Sequence, residues 1–98
     1  MAAISLQSSL KVSDDVVFRE LDGEAVLLHL ASGMYFGLDE TGTRMWQLID
    51  QHGELAAVLA ALCEEFDAPP DAMERDLLNL ALELSDKGLL VPGSRQTG

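Results

Sequence analysis

Gly33-Met34-Tyr35-Phe36-Gly37-Leu38-Asp39-Glu40-Thr41-Gly42 reads as a short apolar strand that runs straight into a helix cap. Two β-prone segments precede it and only helical patterning follows, so the strand Met34 to Leu38 falls at the edge of its sheet. Proteins rarely leave an apolar, uncharged edge open, because its free N–H and C=O groups invite another strand. Capture of an extended peptide along this edge is therefore one expectation for the chain. The competing one makes Tyr35, Phe36 and Leu38 core residues, sheltered by the protein's own N-terminal arm or by a second copy.

Upstream, Val16-Val17-Phe18-Arg19-Glu20-Leu21 and Glu24-Ala25-Val26-Leu27-Leu28-His29-Leu30 flank Asp22-Gly23. An Asp-Gly pair between β-prone runs signals a two-residue hairpin, since a type I′ turn needs φ > 0 at both positions. That loop sets the register: Leu21 faces Glu24, Arg19 faces Val26 and Val17 faces Leu28, with Phe18 opposite Leu27 and Val16 opposite His29. Both faces then carry apolar side chains, which predicts a sheet covered on more than one side. Residues 1–15 show no period and read as an N-terminal arm, either loose or poorly paired.

Downstream, Asp39 is placed to cap a helix from about Glu40 to Asp50, with Glu40 in its first turn. A second helix spans about Glu54 to Glu65, where Leu55, Val58, Leu59, Leu62, Cys63 and Phe66 recur at helical spacing. Pro69-Pro70 primes a third helix, about Asp71 to Lys87, which Gly88 stops. On it Met73, Leu77, Leu80, Ala81 and Leu84 share one stripe, and Leu78 and Leu82 form a second. One stripe can pack inside while the other lines a groove. Leu89-Leu90-Val91 returns toward the core, and residues 92–98 read as a flexible tail.

The bulk numbers exclude several functions. Net charge is −11, from 6 basic and 17 acidic residues. Such a surface repels phosphate backbones and anionic membranes, so neither nucleic acid nor membrane is an expected partner, whereas a basic peptide is attracted. The acidic third helix argues against a DNA-binding regulator. No apolar run approaches the roughly 18 residues of a membrane helix, no basic signal head opens the chain, and the lone Cys63 suits a reducing cytoplasm. Chemistry is equally sparse. Cys63 lies in an apolar stripe and reads as a buried inert thiol, His29 and His52 lack metal-spaced partners, and Gly33, Gly37 and Gly42 make no phosphate loop. The expectation is a non-catalytic protein without cofactor or metal.

The order of these pieces resembles the PqqD-like family. The matching residues are Glu24-Ala25-Val26-Leu27-Leu28, Gly33-Met34-Tyr35-Phe36-Gly37-Leu38-Asp39, Thr41-Gly42, Met45-Trp46, Asp76-Leu77, Leu80, Leu84 and Gly88-Leu89-Leu90. The resemblance implies an α+β, winged helix-turn-helix-like domain over residues 16–91, a three-stranded antiparallel sheet followed by three helices. It also implies a RiPP recognition element, a domain that binds the leader of a ribosomally made precursor peptide and presents it to modifying enzymes. The leader then adds beside the third strand, in a groove walled by the third helix. The residues so implicated are Met34, Tyr35, Phe36, Gly37, Leu38, Asp39, Asp76, Leu77, Leu80, Ala81 and Leu84. Alternation along a strand sends some of them into the core. Tyr35-Phe36 is more like the stand-alone proteins of lasso peptide clusters, whose partners are a leader peptidase and a cyclase. The alternatives are a peptide chaperone presenting its precursor to a radical SAM enzyme in pyrroloquinoline quinone biosynthesis, and a structural homodimer paired through the exposed strands.

Overall fold

A computed structural model describes residues 4–93. Its elements run β1 (Leu10–Val12), β2 (Val16–Leu21), β3 (Glu24–His29), β4 (Met34–Leu38), α1 (Glu40–His52), α2 (Leu55–Glu65), α3 (Pro70–Asp86) and β5 (Leu90–Pro92). Asp22 and Gly23 both have positive φ, 55° and 84°, as the tight turn requires. The hairpin register is the predicted one, from Leu21 opposite Glu24 to Val16 opposite His29. Among the described residues β4 pairs only with β3, Phe36 opposite Leu27 and Leu38 opposite Ala25. The order β2-β3-β4 leaves β4 as an edge.

Alternation sorts the sheet into two faces. Ala25, Leu27 and Leu38 are buried on the inner face with Phe36 half-buried beside them, and Trp46, Leu48 and Ile49 of α1 join the same core. Thr43 fastens the two layers. Its buried Oγ1 accepts the Ala25 N–H at 2.8 Å and donates to the Leu38 carbonyl at 3.4 Å. Asp39 caps α1, its Oδ1 accepting the Gly42 N–H at 2.8 Å. The outer face corrects the expectation of a sheet covered on both sides: Val17, Leu21, Val26 and Tyr35 are all exposed there.

The segment read as an arm contains a strand. Leu10–Val12 pairs with β5, Leu10 opposite Pro92 and Val12 opposite Leu90, and Leu10 is buried. The same segment supplies what α2 lacks. Its N-cap Glu54 makes no side-chain cap; instead the Leu55 N–H donates to the Ser8 carbonyl and the Ala56 N–H to the Leu6 carbonyl, satisfying donors that a helix start leaves open. Pro92, assigned to the tail, ends the β5 ladder; residues 94–98 of that tail lie outside the described residues. Cys63 is half-buried on α2 instead of enclosed. Arg44 grips Glu65 with two hydrogen bonds of 2.6 and 2.7 Å, which holds the Glu65 carboxyl below its ordinary range. At so exposed a site the pair adds little to stability.

α3 starts on Pro70 and closes with a Schellman turn. The Gly88 N–H donates to the Ser85 carbonyl and the Leu89 N–H to the Leu84 carbonyl, with Gly88 at φ 78° and Leu89 buried.

Replacing Thr43 by Val should leave a buried N–H and a carbonyl without their shared partner. It should lower unfolding stability by about 1–3 kcal/mol, read by urea denaturation, while Thr43→Ser keeps most of it. Equal stability of Thr43→Val and the parent would show that the hydroxyl does not join the layers.

Candidate functional site

β4 packs on β3 and α1, whereas α3 packs on α2 and β5. The two therefore face one another across a recess, about 180 Å³ in volume, lined by His29, Met34, Tyr35, Phe36, Glu83, Lys87 and Leu89. One margin of the recess is the unpaired edge of β4 and the other is the last turn of α3. The strand arrives here because the turn at Gly33, φ 73°, reverses the chain after His29, and the Asp39 cap ends it.

Along β4 the predicted residues divide by alternation. Leu38 is 6% exposed and belongs to the core, Phe36 is half-buried at the floor of the recess, and Met34 is exposed at its mouth. Tyr35, 72% exposed, points to the opposite face with Gly37. A Cβ at Gly37 would meet nothing within 4 Å, and φ there is not positive. Neither backbone strain nor crowding within this chain demands glycine, and strands keep such residues where another backbone approaches. The Asp39 carboxylate is occupied with the α1 cap.

On α3 the expected pocket wall needs correction. Leu77, Ala81 and Leu84 have no exposed surface and point into the core, so they support the groove from behind without lining it. Leu80 is half-buried and Asp76 exposed. Glu83 and Lys87 continue that line at helical spacing and carry the wall of the recess. His29, Lys87 and Leu89 were not among the predicted site residues. The spacing 76, 80, 83, 87 was the available signal, masked by the apolar stripe one position away. The second stripe splits too. Leu82 faces a separate hollow with Leu10 and Leu90, and Leu78 is half-buried.

The recess offers a strand edge, an apolar floor and three polar side chains, which suits binding an extended chain. Among the described residues no three His, Cys, Asp or Glu are grouped to hold a metal, and no helix is long and apolar enough to cross a membrane.

A search of curated proteins found no match. Two solved structures share the fold over nearly their whole length. One is TbiB1 in complex with the TbiA(beta) leader peptide, 39% identical with a TM-score of 0.79, covering 86% of this chain and 98% of that one. The other is lasso peptide synthetase B1 complexed with the leader peptide, 25% identical with a TM-score of 0.76, covering 87% and 100%. The family model of coenzyme PQQ synthesis protein D matches residues 24–90, a span that begins with β3 and takes in β4, all three helices and the start of β5. With more than half its length matched, the chain belongs to the PqqD family.

Proposed function

We propose that the protein is a non-catalytic adaptor that captures the leader of a ribosomally synthesised precursor peptide and delivers it to separate maturation enzymes. The reading rests on the unpaired β4 edge beside the α3 recess, in a chain 39% identical to a protein solved with a leader peptide. The backbone of Met34 to Leu38 forms a ladder with the leader, which supplies affinity with little sequence information. Leader side chains alternate, so every second one turns inward to Phe36 and Leu80, and the others join Tyr35 and Gly37 on the outer face. Asp76 and Glu83 attract basic leader residues from the rim, each worth little alone. The net charge of −11 speeds encounter with a basic peptide.

Delivery requires a second surface, and we assign it to the outer face of the sheet. β4 belongs to both surfaces, so an enzyme seated on Val17, Val26 and Tyr35 also touches the outward side chains of a captured leader. Holding the precursor there raises its effective concentration at the enzyme without any chemistry in this chain. The partners we favour are a leader peptidase and a cyclase of lasso type, in the cytoplasm. The quinone-pathway alternative draws on the family description; selective binding of a quinone precursor would replace the lasso assignment.

Fluorescence anisotropy with a labelled leader from the precursor encoded beside this gene tests capture. Binding at about micromolar or tighter, absent for a scrambled leader and for the isolated core peptide, is the expected result; equal binding of the scrambled peptide would refute it. A proline scan of the leader should abolish binding at the positions that donate to the ladder, and uniform tolerance would exclude strand addition. Leu80→Glu should weaken leader binding by about tenfold or more while circular dichroism is unchanged. Val26→Lys should leave leader affinity within about twofold but slow leader removal by the partner peptidase; unchanged processing would remove the outer face from the delivery step.

A further inference from the structure

Lys87 follows the last residue of α3, at the mouth of the recess, with its ammonium 5.8 Å from the centroid of the Phe36 ring. The Schellman turn holds it there: the Lys87 N–H donates to the Glu83 carbonyl, and the next two N–H groups close on Ser85 and Leu84. The other cations among the described residues are elsewhere. Arg44 is held by Glu65, Arg75 lies 3.9 Å from Asp76, Lys11 belongs to β1 and Arg19 to β2. Among the described residues no carboxylate lies within 4.0 Å of the Lys87 ammonium, although Glu83 stands one turn away on the same wall. His29 approaches from the sheet. Its Nδ1 is 2.9 Å from the Ser32 Oγ, and the opposite edge of the ring faces Gly88, where a Cβ would lie 3.8 Å from Nε2. Phe36, Met34 and Leu89 complete an apolar floor.

The groove is thus electrically polar. Its Met34 end carries the cation, while Glu83 and Asp76 follow along the helix wall and Asp39 lies beyond Leu38. We infer that the recess is a specificity pocket for an acidic leader residue, an Asp or Glu whose carboxylate meets Lys87 while its methylenes lie on Phe36. This rests on the strand-capture reading and adds a charge register to it: an acid at the Met34 end, neutral or basic residues toward Leu38. A purely apolar side chain would desolvate Lys87 with only a ring face as its partner. A carboxylate supplies the counter-charge to the exposed Lys87 ammonium, through a charge-assisted hydrogen bond stronger than a neutral one.

The test is selection from a random-peptide display library on the intact protein, on Lys87→Met and on Lys87→Glu, each checked for folding by circular dichroism. The parent should enrich strand-forming peptides with Asp or Glu at one fixed position, and Lys87→Glu should enrich Lys or Arg there. For a single selected peptide, changing that acid to its amide should weaken binding about fivefold to the parent and less than about twofold to Lys87→Met. Enrichment without an acidic position, or an acid preference indifferent to Lys87, overturns the pocket assignment and leaves strand capture standing. A folded protein that enriches no extended peptide overturns strand capture itself.

Discussion

β4 has to anchor itself and stay open with only five residues. Among the described residues its one strand neighbour is β3, so what holds it comes from one edge and one face. Leu38 and Phe36 secure the inner face, Thr43 ties the Leu38 carbonyl to α1, and Asp39 stops the strand by capping the helix that follows. The strand is consequently fixed in register before any partner arrives. A preformed edge avoids the ordering cost that a mobile segment would carry into binding. The remainder of the fold serves this arrangement: α1 covers the inner face, α2 supports α3, and α3 stands across from the open edge.

Local chemistry made much of this legible. The Asp22-Gly23 turn, the Asp39 cap and the Gly88 stop are each decided by a few neighbouring residues, and all three could be read. The order of elements, with only helical patterning after Leu38, also placed β4 at the edge before its neighbours were known. What escaped the sequence was long-range. β1 is three residues, too short for a period, and its partner lies about eighty positions away. The wide apolar arc of α3 offered one stripe for the core and one for a groove, but not which neighbours each would meet. Leu77, Ala81 and Leu84 fill the core, and the groove wall falls to Leu80, which the apolar stripe included, and to Glu83 and Lys87, whose types gave no apolar signal. The outer sheet face misled in the opposite direction, because apolar residues at Val17 and Val26 signal burial equally well whether a covering element belongs to the chain or to a partner.

Affinity and selectivity have separate sources in such a site. Under the proposed strand capture, a ladder along β4 would accept any extended backbone that can donate and accept along it, which leaves discrimination to side chains at the recess. There the chemistry changes within a few residues, from the aromatic floor at Phe36 to the ammonium of Lys87 and the carboxylate of Glu83. A small binding protein can in this way combine a tolerant attachment with a selective contact, without a deep cavity.

The pairing of Leu10 with Pro92 brings the first and last strands side by side. From Leu10 to Pro92 the backbone is therefore nearly a closed ring. Linking β5 to the segment before β1 and opening the chain at an exposed turn, such as Asp22-Gly23, would reorder the sequence while keeping the β1–β5 and β3–β4 ladders. Residue order along the polypeptide is then dispensable for this architecture, and the spatial adjacency of its strands is not.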